Sequence, residues 1–298
     1  MATFRGFWFM SNNLTGTDSD DDMFGAGFTD FLHGGGGADT IHGGGGDDQI
    51  FGDDGNDKLF GDDGDDKLFG DANNDTLDGG KGDDTLFGGA DQDRFIDIHG
   101  DNHIDGGTGF DTLDYSDFAG GRVRVTMADS GREGLAIRED LIRSVGGGSH
   151  FERDGTDTFV AIEKVIGTSG DDVITGNSSG NILRGGAGGD TLTGGGGSDV
   201  FLFDDGDLSI FTTDRITDFD TQDAFDFRDM DARTDVAGNN AFHFVSDFTG
   251  TSGELVLRNV GNGNFNLFAD TNGDGSSDFF LLIHETTAGA LTTSDFLL

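Results

Sequence analysis

Large apolar residues recur at every ninth position over a long stretch near the N-terminus. From Met23 to Leu113 the spacing never varies, and each apolar residue U is the centre of an x-U-x triplet. A triplet with one inward-facing side chain predicts a very short β-strand. One such strand cannot bury its apolar residue alone, so the pattern predicts stacked copies that share a thin core.

Glycine and aspartate fill the intervening positions and complete a nonapeptide, G-G-x-G-x-D-x-U-x. Eleven consecutive copies run from Gly16 to Asp114, and four more run from Gly167 to Leu202. Glycines allow positive φ, so the residues before each triplet can form a tight turn. Position six is Asp in ten of the first eleven copies. Stacking about 4.8 Å apart would align these carboxylates beside the turn carbonyls, an oxygen set that suits Ca²⁺.

Composition and charge narrow the classes of function. The formal net charge is −41, which disfavours nucleic acid and anionic lipid as partners. The chain has no Cys, so disulfides, thiolate metal sites and Cys nucleophiles are excluded. Only 33% of residues are hydrophobic, a composition that by itself suggests disorder. We therefore expect a multivalent cation to offset the negative charge before the chain can compact. We find no apolar run long enough for membrane insertion and no N-terminal signal peptide.

The nonapeptides resemble the RTX (repeats-in-toxin) family of haemolysin-type calcium-binding repeats. The resemblance implies an all-β fold, a right-handed parallel β-roll with two nonapeptides per turn. It also implies several Ca²⁺ ions, each between one copy and the copy two later. Asp39 would then pair with Asp57, Asp48 with Asp66, Asp57 with Asp75, Asp66 with Asp84, and Asp172 with Asp190.

The metal ligands that this resemblance implies come from the turn glycines and the position-six aspartates. They are Asp30, Gly34, Gly35, Gly37, Asp39, Gly43, Gly44, Gly46, Asp48, Gly52, Gly55, Asp57, Gly61, Gly64, Asp66, Gly70, Asp75, Gly79, Gly80, Gly82, Asp84, Asp93, Gly106, Gly107, Gly109, Asp111, Asp172, Gly185, Gly186, Gly188, Asp190 and Asp199. Four degenerate copies are expected to hold weak or empty sites: GTDSDDDMF, GAGFTDFLH, GDANNDTLD and DIHGDNHID.

The repeats divide the chain into five predicted segments. These are an N-terminal cap (1–15), a first roll block (16–114), a strand-rich insertion (115–166), a second roll block (167–202) and a C-terminal domain (203–298). The insertion carries seven of the 17 basic residues. It is either a ligand-binding loop or a spacer whose arginines pair with roll carboxylates, and we favour the spacer.

The C-terminal segment resembles the C-terminal region of serralysin-type secreted proteins. The similarity rests on DRITDFD after the last repeat, on AFHFV, and on DTNGDGSSDF near the end. The final LTTSDFLL is similar to the uncleaved signal read by type I (ABC transporter) secretion, which implies an extracellular protein. Within DTNGDGSSDF, Asp270, Asn272, Asp274 and Asp278 are spaced like the first half of an EF-hand. We expect a cation there, the alternative being a polar hairpin turn.

No catalytic motif is complete. A serralysin-type protease needs H-E-x-x-H, but the nearest string, from His284 to Ala288, lacks the second His. The G-x-S-x-G match at Gly176–Gly180 is a degenerate repeat copy in phase with its neighbours. The repeats, insertion and export region leave only residues 1–15, so we expect no enzyme activity.

Two functions remain open from the sequence. The first is an extracellular calcium-binding module, non-catalytic, that contacts a cell surface, matrix or polysaccharide. The second is an accessory or remnant module of a secreted enzyme whose catalytic domain lies elsewhere. Position-nine aromatics add one surface feature, because Phe51, Phe69 and Phe87 should form a ladder on one face and Phe24 and Phe60 should lie on the other. Packing of that ladder against the protein's own chain is favoured over an interface with a partner.

Overall fold

A computed structural model describes the chain except residues 1, 7–10, 97–98, 119–120, 130–131, 144–148, 210, 234–239, 288 and 290. The side chains of 140–143 and 149–154 are also outside the description. The chain forms two compact units. Unit 1 contains 1–118 and 130–165, and unit 2 contains 119–129 and 166–298. The predicted insertion therefore contributes residues to both units.

Short β-strands make up nearly all the regular structure. They are β1 (Thr3–Arg5), β2 (Asn13–Thr15), β3 (Asp22–Ala26), β4 (Phe31–Gly36), β5 (Thr40–Gly45), β6 (Gln49–Asp54), β7 (Lys58–Asp63), β8 (Lys67–Ala72), β9 (Thr76–Asp78), β10 (Thr85–Ala90), β11 (Arg94–Phe95), β12 (His103–Thr108), β13 (Thr112–Asp114), β14 (Gly121–Thr126), β15 (Gly134–Arg143), β16 (Ser149–Val160), β17 (Lys164–Ile166), β18 (Val173–Thr175), β19 (Ile182–Arg184), β20 (Thr191–Thr193), β21 (Val200–Asp204), β22 (Asp214–Phe219), β23 (Ala224–Asp229), β24 (His243–Phe244), β25 (Glu254–Gly261), β26 (Asn264–Asp270), β27 (Phe279–Glu285) and β28 (Phe296–Leu297). One 3₁₀ turn, Thr293–Asp295, precedes β28.

Unit 1 is a parallel β-roll in which successive nonapeptides alternate between two sheets. One sheet runs β1-β3-β5-β7-β9-β11-β13-β17, and the other begins β2-β4-β6-β8-β10-β12-β16-β15. Each residue therefore pairs with the residue two copies later, as Ile50 does with Leu68 and Leu68 with Leu86. The parallel β-roll that the resemblance to the RTX repeats implies is confirmed.

The core of unit 1 is a stack of position-eight side chains. All eleven, from Met23 to Leu113, are 0% exposed. Each contributes about 1.5–3 kcal/mol of hydrophobic stabilisation. Because each copy supplies one such side chain, the roll depends on stacking and not on any single strand.

The insertion returns to the roll of unit 1 through an antiparallel hairpin. β15 pairs with β16 along its length, from Gly134 opposite Phe159 to Arg143 opposite Ser149. The end of β16 then pairs in parallel with β12, placing Phe159 beside Ile104. Phe159 is 2% exposed and extends the apolar stack. Residues 152–160 read ERDGTDTFV, so the second half of a nonapeptide is present inside the predicted insertion.

Unit 2 continues the same construction with longer loops. β14 pairs in parallel with β18, then β18 with β20, β20 with β22 and β22 with β27. β27, β26 and β25 form an antiparallel meander, with β24 parallel to β25. A second sheet runs β19-β21-β23-β28.

The last strand of unit 2 is packed by aromatic rings. Phe296 on β28 pairs with Phe225 on β23, and their ring centroids are 4.7 Å apart. Phe296 is 6% exposed. The segment that resembles a secretion signal therefore also belongs to the core of this unit. No helix in the described residues is long and apolar enough to cross a membrane.

Candidate metal sites along the carboxylate ladders

Position-six side chains stack into two carboxylate ladders in unit 1. The first ladder contains Asp21, Asp39, Asp57, Asp75, Asp93, Asp111 and Glu163, and the second contains Asp30, Asp48, Asp66, Asp84, Asn102 and Asp157. After the first rung of each ladder, each side chain accepts a hydrogen bond from the backbone N–H of the ladder residue before it. Asp57 Oδ1, for example, accepts from Asp39 N at 2.7 Å. The ladders bring together the Asp pairs that the resemblance to the RTX repeats implies.

The second carboxylate oxygen of many rungs has no partner. Oδ2 is buried and makes no hydrogen bond in Asp39, Asp48, Asp57, Asp66, Asp75, Asp93, Asp111 and Asp190. Buried polar atoms in proteins almost always have a partner, and an ion is one explanation when they do not. A row of such oxygens at the repeat spacing fits a row of cations.

Position-one glycines keep space open beside these oxygens. A Cβ on Gly52 would lie 2.5 Å from Asp57 Oδ2 and 2.8 Å from the carbonyl oxygen of Gly70. Gly34 has the same relation to Asp39 and to the carbonyl of Gly52. The carboxylate oxygen of one copy thus lies near a carbonyl oxygen of the copy two later, with no side chain between them.

Backbone carbonyls would have to supply most of the ligands. Among the described residues, no group of three or more His, Cys, Asp or Glu side chains is placed to hold a metal ion. A site with one or two carboxylates and several carbonyls is the hard, oxygen-only set that Ca²⁺ accepts with six to eight ligands. The donor chemistry fits Ca²⁺, and the assignment of individual ligands stays a prediction.

Burial makes the metal-free ladders electrostatically unfavourable. Burial first, and the charges of neighbouring aspartates second, raise the pKa of Asp48, Asp57 and Asp66 to about 7. The same causes raise the pKa of Asp75 to about 8 and that of Asp190 to about 9. A cation beside these carboxylates would remove both penalties, because opposite charge favours the ionised form.

The N-terminal rungs of the ladders are closed, meaning that backbone N–H groups of the protein already bind their second carboxylate oxygen. Oδ2 of Asp21 accepts from Thr17 N at 2.7 Å, and Oδ2 of Asp30 accepts from Ala26 N at 2.7 Å. Both belong to copies that lack the fourth-position glycine, where weak sites are expected. Asn73, in the degenerate copy GDANNDTLD, keeps the turn by adopting a φ of 77°. The adjacent Asp75 retains an unpartnered oxygen, so that copy preserves the site geometry.

Unit 2 has two shorter ladders. One contains Asp172, Asp190 and Asp214, and the other contains Asn181, Asp199 and Asp223. Asp172 pairs with Asp190 as predicted, with N to Oδ1 at 2.8 Å. Oδ2 of Asp172 accepts from Thr168 N at 2.6 Å, so this rung is closed like those of Asp21 and Asp30.

Four ladder residues lie outside the predicted nonapeptide copies: Asp157, Glu163, Asp214 and Asp223. Three of them keep the motif's second half, D-x-U-x, as in DTFV, DRIT and DAFD. The glycine half is reduced to Gly155 before Asp157, which follows a hairpin, and longer loops replace it before Asp214 and Asp223. A search for D-x-U-x without the glycine half would have found Asp157, Asp214 and Asp223, but not Glu163.

The loop at Asp270–Asp278 is organised as a turn. Asp270 Oδ1 accepts from Gly273 N at 2.6 Å, and Oδ2 accepts from Gly275 N at 2.8 Å. Asp278 Oδ2 accepts from Thr271 N at 2.7 Å. Asn272 Oδ1 accepts from Asp274 N. These oxygens satisfy the loop's own N–H groups, which is the polar hairpin alternative; a cation here stays a prediction with no geometric support.

The predicted aromatic ladders are present and include histidines. Phe51 stacks on Phe69 with ring centroids 4.7 Å apart, and Phe69 stacks on Phe87 at 5.0 Å. On the other face, His42 lies between Phe24 and Phe60, at 5.5 and 4.6 Å. The rings are half-buried and cover each other's faces. Their role as an interface stays untested.

Comparison with known families agrees with this geometry. Residues 135–298 match the family model described as peptidase M10 serralysin C terminal. Residues 24–59, 60–95 and 99–114 match the RTX calcium-binding nonapeptide repeat. Both resemblances inferred from the motifs are confirmed.

Two solved structures show limited likeness. The AlgE6R2 subunit of the Azotobacter vinelandii mannuronan C5-epimerase is 27% identical, with 46% of this chain and 81% of that one covered and a TM-score of 0.34. The extracellular lipase LipA from Serratia marcescens is 20% identical, with 78% of this chain and 40% of that one covered and a TM-score of 0.26. Neither TM-score is high enough to support a functional argument. No curated protein matches the chain significantly.

Proposed function

Because the chain belongs to the serralysin C-terminal family and carries RTX calcium-binding repeats, we propose that it is a type I-secreted protein that folds on extracellular Ca²⁺. Once folded, it acts as a non-catalytic binding or structural module. The row of buried, unpartnered Oδ2 atoms along the ladders carries the calcium part of this proposal.

The ladders couple ion binding to folding. Without a cation, the stacked carboxylates, whose pKa values are raised, repel each other when ionised. This repulsion favours the unfolded chain over the roll. Cytosolic Ca²⁺ is too low to fill the sites, so the chain stays unfolded and can be threaded through an export channel. Outside the cell, each site filled at a hundred times its dissociation constant adds about 2.7 kcal/mol to the stability of the folded state. Metal binding thereby supplies folding free energy.

The non-catalytic role is supported by the chain's own residues. The string from His284 to Ala288 lacks a second His, and β27 carries His284 on a strand where H-E-x-x-H needs a helix. Gly176–Gly180 is a turn of the roll of unit 2, with the Gly176 N–H bonded to Thr193 O at 2.8 Å. Neither motif is placed for catalysis.

A calcium titration of EGTA-stripped protein tests the proposal. Far-UV circular dichroism and light scattering are followed together, with Mg²⁺ as the control cation. We expect a cooperative coil-to-β transition at sub-millimolar to millimolar Ca²⁺ and little response to Mg²⁺, which prefers octahedral, hydrated sites. A compact monomer would direct the search to a glycan or soluble ligand, and growing assemblies to a matrix role. The absence of any calcium-dependent transition would refute the central proposal.

Export is tested at the C-terminus. Removal of the last eight residues should abolish secretion if LTTSDFLL is read by the exporter. Because Phe296 packs on Phe225, that deletion would also weaken unit 2. Replacement of the exposed Leu297, which is 40% exposed, tests the signal with less effect on packing. Unchanged secretion of both variants would contradict the assignment.

A further inference from the structure

The second carboxylate ladder is interrupted at one rung. Asn102 stands where the other rungs of that repeat block carry Asp, so its copy has lost a carboxylate. The ladder nevertheless continues, because Asn102 N donates to Asp157 Oδ1 at 3.2 Å. Asp157 comes from β16 and is 0% exposed. The next rung is therefore supplied by the hairpin.

At this rung the second carboxylate oxygen is satisfied by protein groups. Asp157 Oδ2 accepts from Tyr115 Oη at 2.6 Å and from Arg138 Nη1. The corresponding Oδ2 of Asp48 and Asp66, in the same ladder, is buried without a partner. The guanidinium thus contacts the atom that elsewhere in the ladder is left for a cation.

The other arm of the guanidinium reaches the preceding copy. Arg138 Nη2 donates to the carbonyl oxygen of Gly100, the position-four glycine of the copy that contains Asn102. Arg138 is 0% exposed and extends from β15. A charge buried this deeply requires a partner, and Asp157 provides it.

Glycine at position 155 makes room for this arrangement. A Cβ there would overlap Arg138 Nη2 and the Gly100 carbonyl oxygen. In the regular copies, a Cβ on the position-four Gly64 or Gly82 likewise meets the position-four carbonyl of the copy two earlier. Gly155 is therefore the position-four residue of a repeat copy, and Arg138 lies between two successive rungs of one ladder.

We propose that the Arg138 guanidinium takes the place of a calcium ion between the Asn102 and Asp157 rungs, so that this rung is a latent calcium site closed by an internal cation. The inference rests on the proposed calcium function of the other rungs. It gives the insertion a specific role, because the hairpin supplies both the missing carboxylate and the positive charge. The favoured role of the insertion arginines is thereby refined, because Arg138 pairs with a carboxylate of the insertion itself.

The proposal is tested by counting bound ions. Native mass spectrometry after equilibration in Ca²⁺ compares the wild type with Arg138→Ala/Asn102→Asp, which removes the cation and restores the carboxylate. We expect the double variant to bind one more Ca²⁺ per chain than the wild type. Asn102→Asp alone should bind the wild-type number, because the guanidinium still fills the space. Arg94→Ala removes a half-exposed arginine bonded to Asp114 and should not change the count.

A local readout separates this site from the rest of the roll. Tyr115 is the chain's one tyrosine, so a 3-fluorotyrosine label gives a ¹⁹F resonance that reports this rung. In the double variant that resonance should show a further calcium-dependent shift after the roll has folded, and the wild type and Asn102→Asp should lack this second shift.

Several outcomes would overturn the inference. They are an unchanged ion count in the double variant, an extra ion in Asn102→Asp alone, and a double variant that stays unfolded in saturating Ca²⁺ while the wild type folds. A wild type that binds no ions at all would instead refute the proposed function, so the two failures can be distinguished.

Discussion

Replacement of Asp66 by Asn should change the stability of the fold in opposite directions with and without calcium. Asp66 is 1% exposed, and its Oδ1 accepts from Asp48 N at 2.6 Å. Asn retains that acceptor, so the backbone bond survives while the charge is lost. The substitution therefore isolates the electrostatic role of the rung.

The magnitude follows from the surroundings of the carboxylate. With free Ca²⁺ at a hundred times the dissociation constant, each lost site removes about 2.7 kcal/mol of folding stability. Because Asp66 borders the rungs of both Asp48 and Asp84, we expect its substitution to cost about 3–5 kcal/mol. Without Ca²⁺, burial and the charges of Asp48 and Asp84 raise the pKa of Asp66 to about 7. Removal of that penalty should stabilise the metal-free fold by about 1–3 kcal/mol at pH 8, allowing for relaxation of the charges.

Two titrations measure these effects. In saturating Ca²⁺, urea unfolding followed by circular dichroism gives the loss of stability. In EGTA, trimethylamine N-oxide promotes compaction, and Asp66→Asn should fold at a lower concentration of this osmolyte than the wild type. Asp63→Asn is the matched control, because Asp63 has a 68% exposed side chain bonded to Lys81. The reasoning is refuted if Asp66→Asn destabilises both states or if the control shows the same reversal.

Three further predictions follow from the ladders and the core. In EGTA with trimethylamine N-oxide, stability should be highest at acid pH and fall as pH rises through about 7, because Asp48 and Asp57 bind protons more tightly when folded; a midpoint independent of pH would contradict this. Gly52→Ala should weaken calcium-dependent folding by about 1–3 kcal/mol, since its Cβ would lie 2.5 Å from Asp57 Oδ2, whereas Gly27→Ala, with nothing within 4 Å, should have little effect in the same titration. Leu68→Ala should cost about 2–5 kcal/mol in chemical unfolding, because Leu68 is 0% exposed in the thin core of the roll, and a loss below about 1 kcal/mol would contradict that packing.

The regular part of the roll could be predicted because its information is local. The nine-residue phase fixes which residue of each copy faces inward, and Leu32 through Leu113 are buried accordingly. The i to i+18 register came from the resemblance to the RTX repeats, which implies two nonapeptides per turn, and the structure pairs Asp39 with Asp57 accordingly. Neither conclusion needs a long-range contact outside the repeat.

The rungs outside the regular copies, and the turn near the C-terminus, depend on contacts that the repeat spacing does not encode. Asp157 reaches its ladder only because β15 and β16 fold back as a hairpin, 55 residues after Asn102. The rungs at Asp214 and Asp223 follow loops that lengthen the spacing to 24 residues. The turn at Asp270 depends on the same kind of contact, since its oxygens accept hydrogen bonds from N–H groups that only the folded turn brings near.

The hydrogen bonds of the ladders all point the same way along the sequence. In the regular copies, each carboxylate accepts a hydrogen bond from the backbone N–H of the rung eighteen residues before it, as Asp84 does from Asp66 and Asp66 does from Asp48. A rung in place thus offers its acceptor to the segment that precedes it, so we expect each ladder to form from its C-terminal end toward its N-terminal end. In this order of folding, each new repeat copy would join the folded roll on its N-terminal side only. A chain that emerges from a pore with its C-terminal end first would find each template already built.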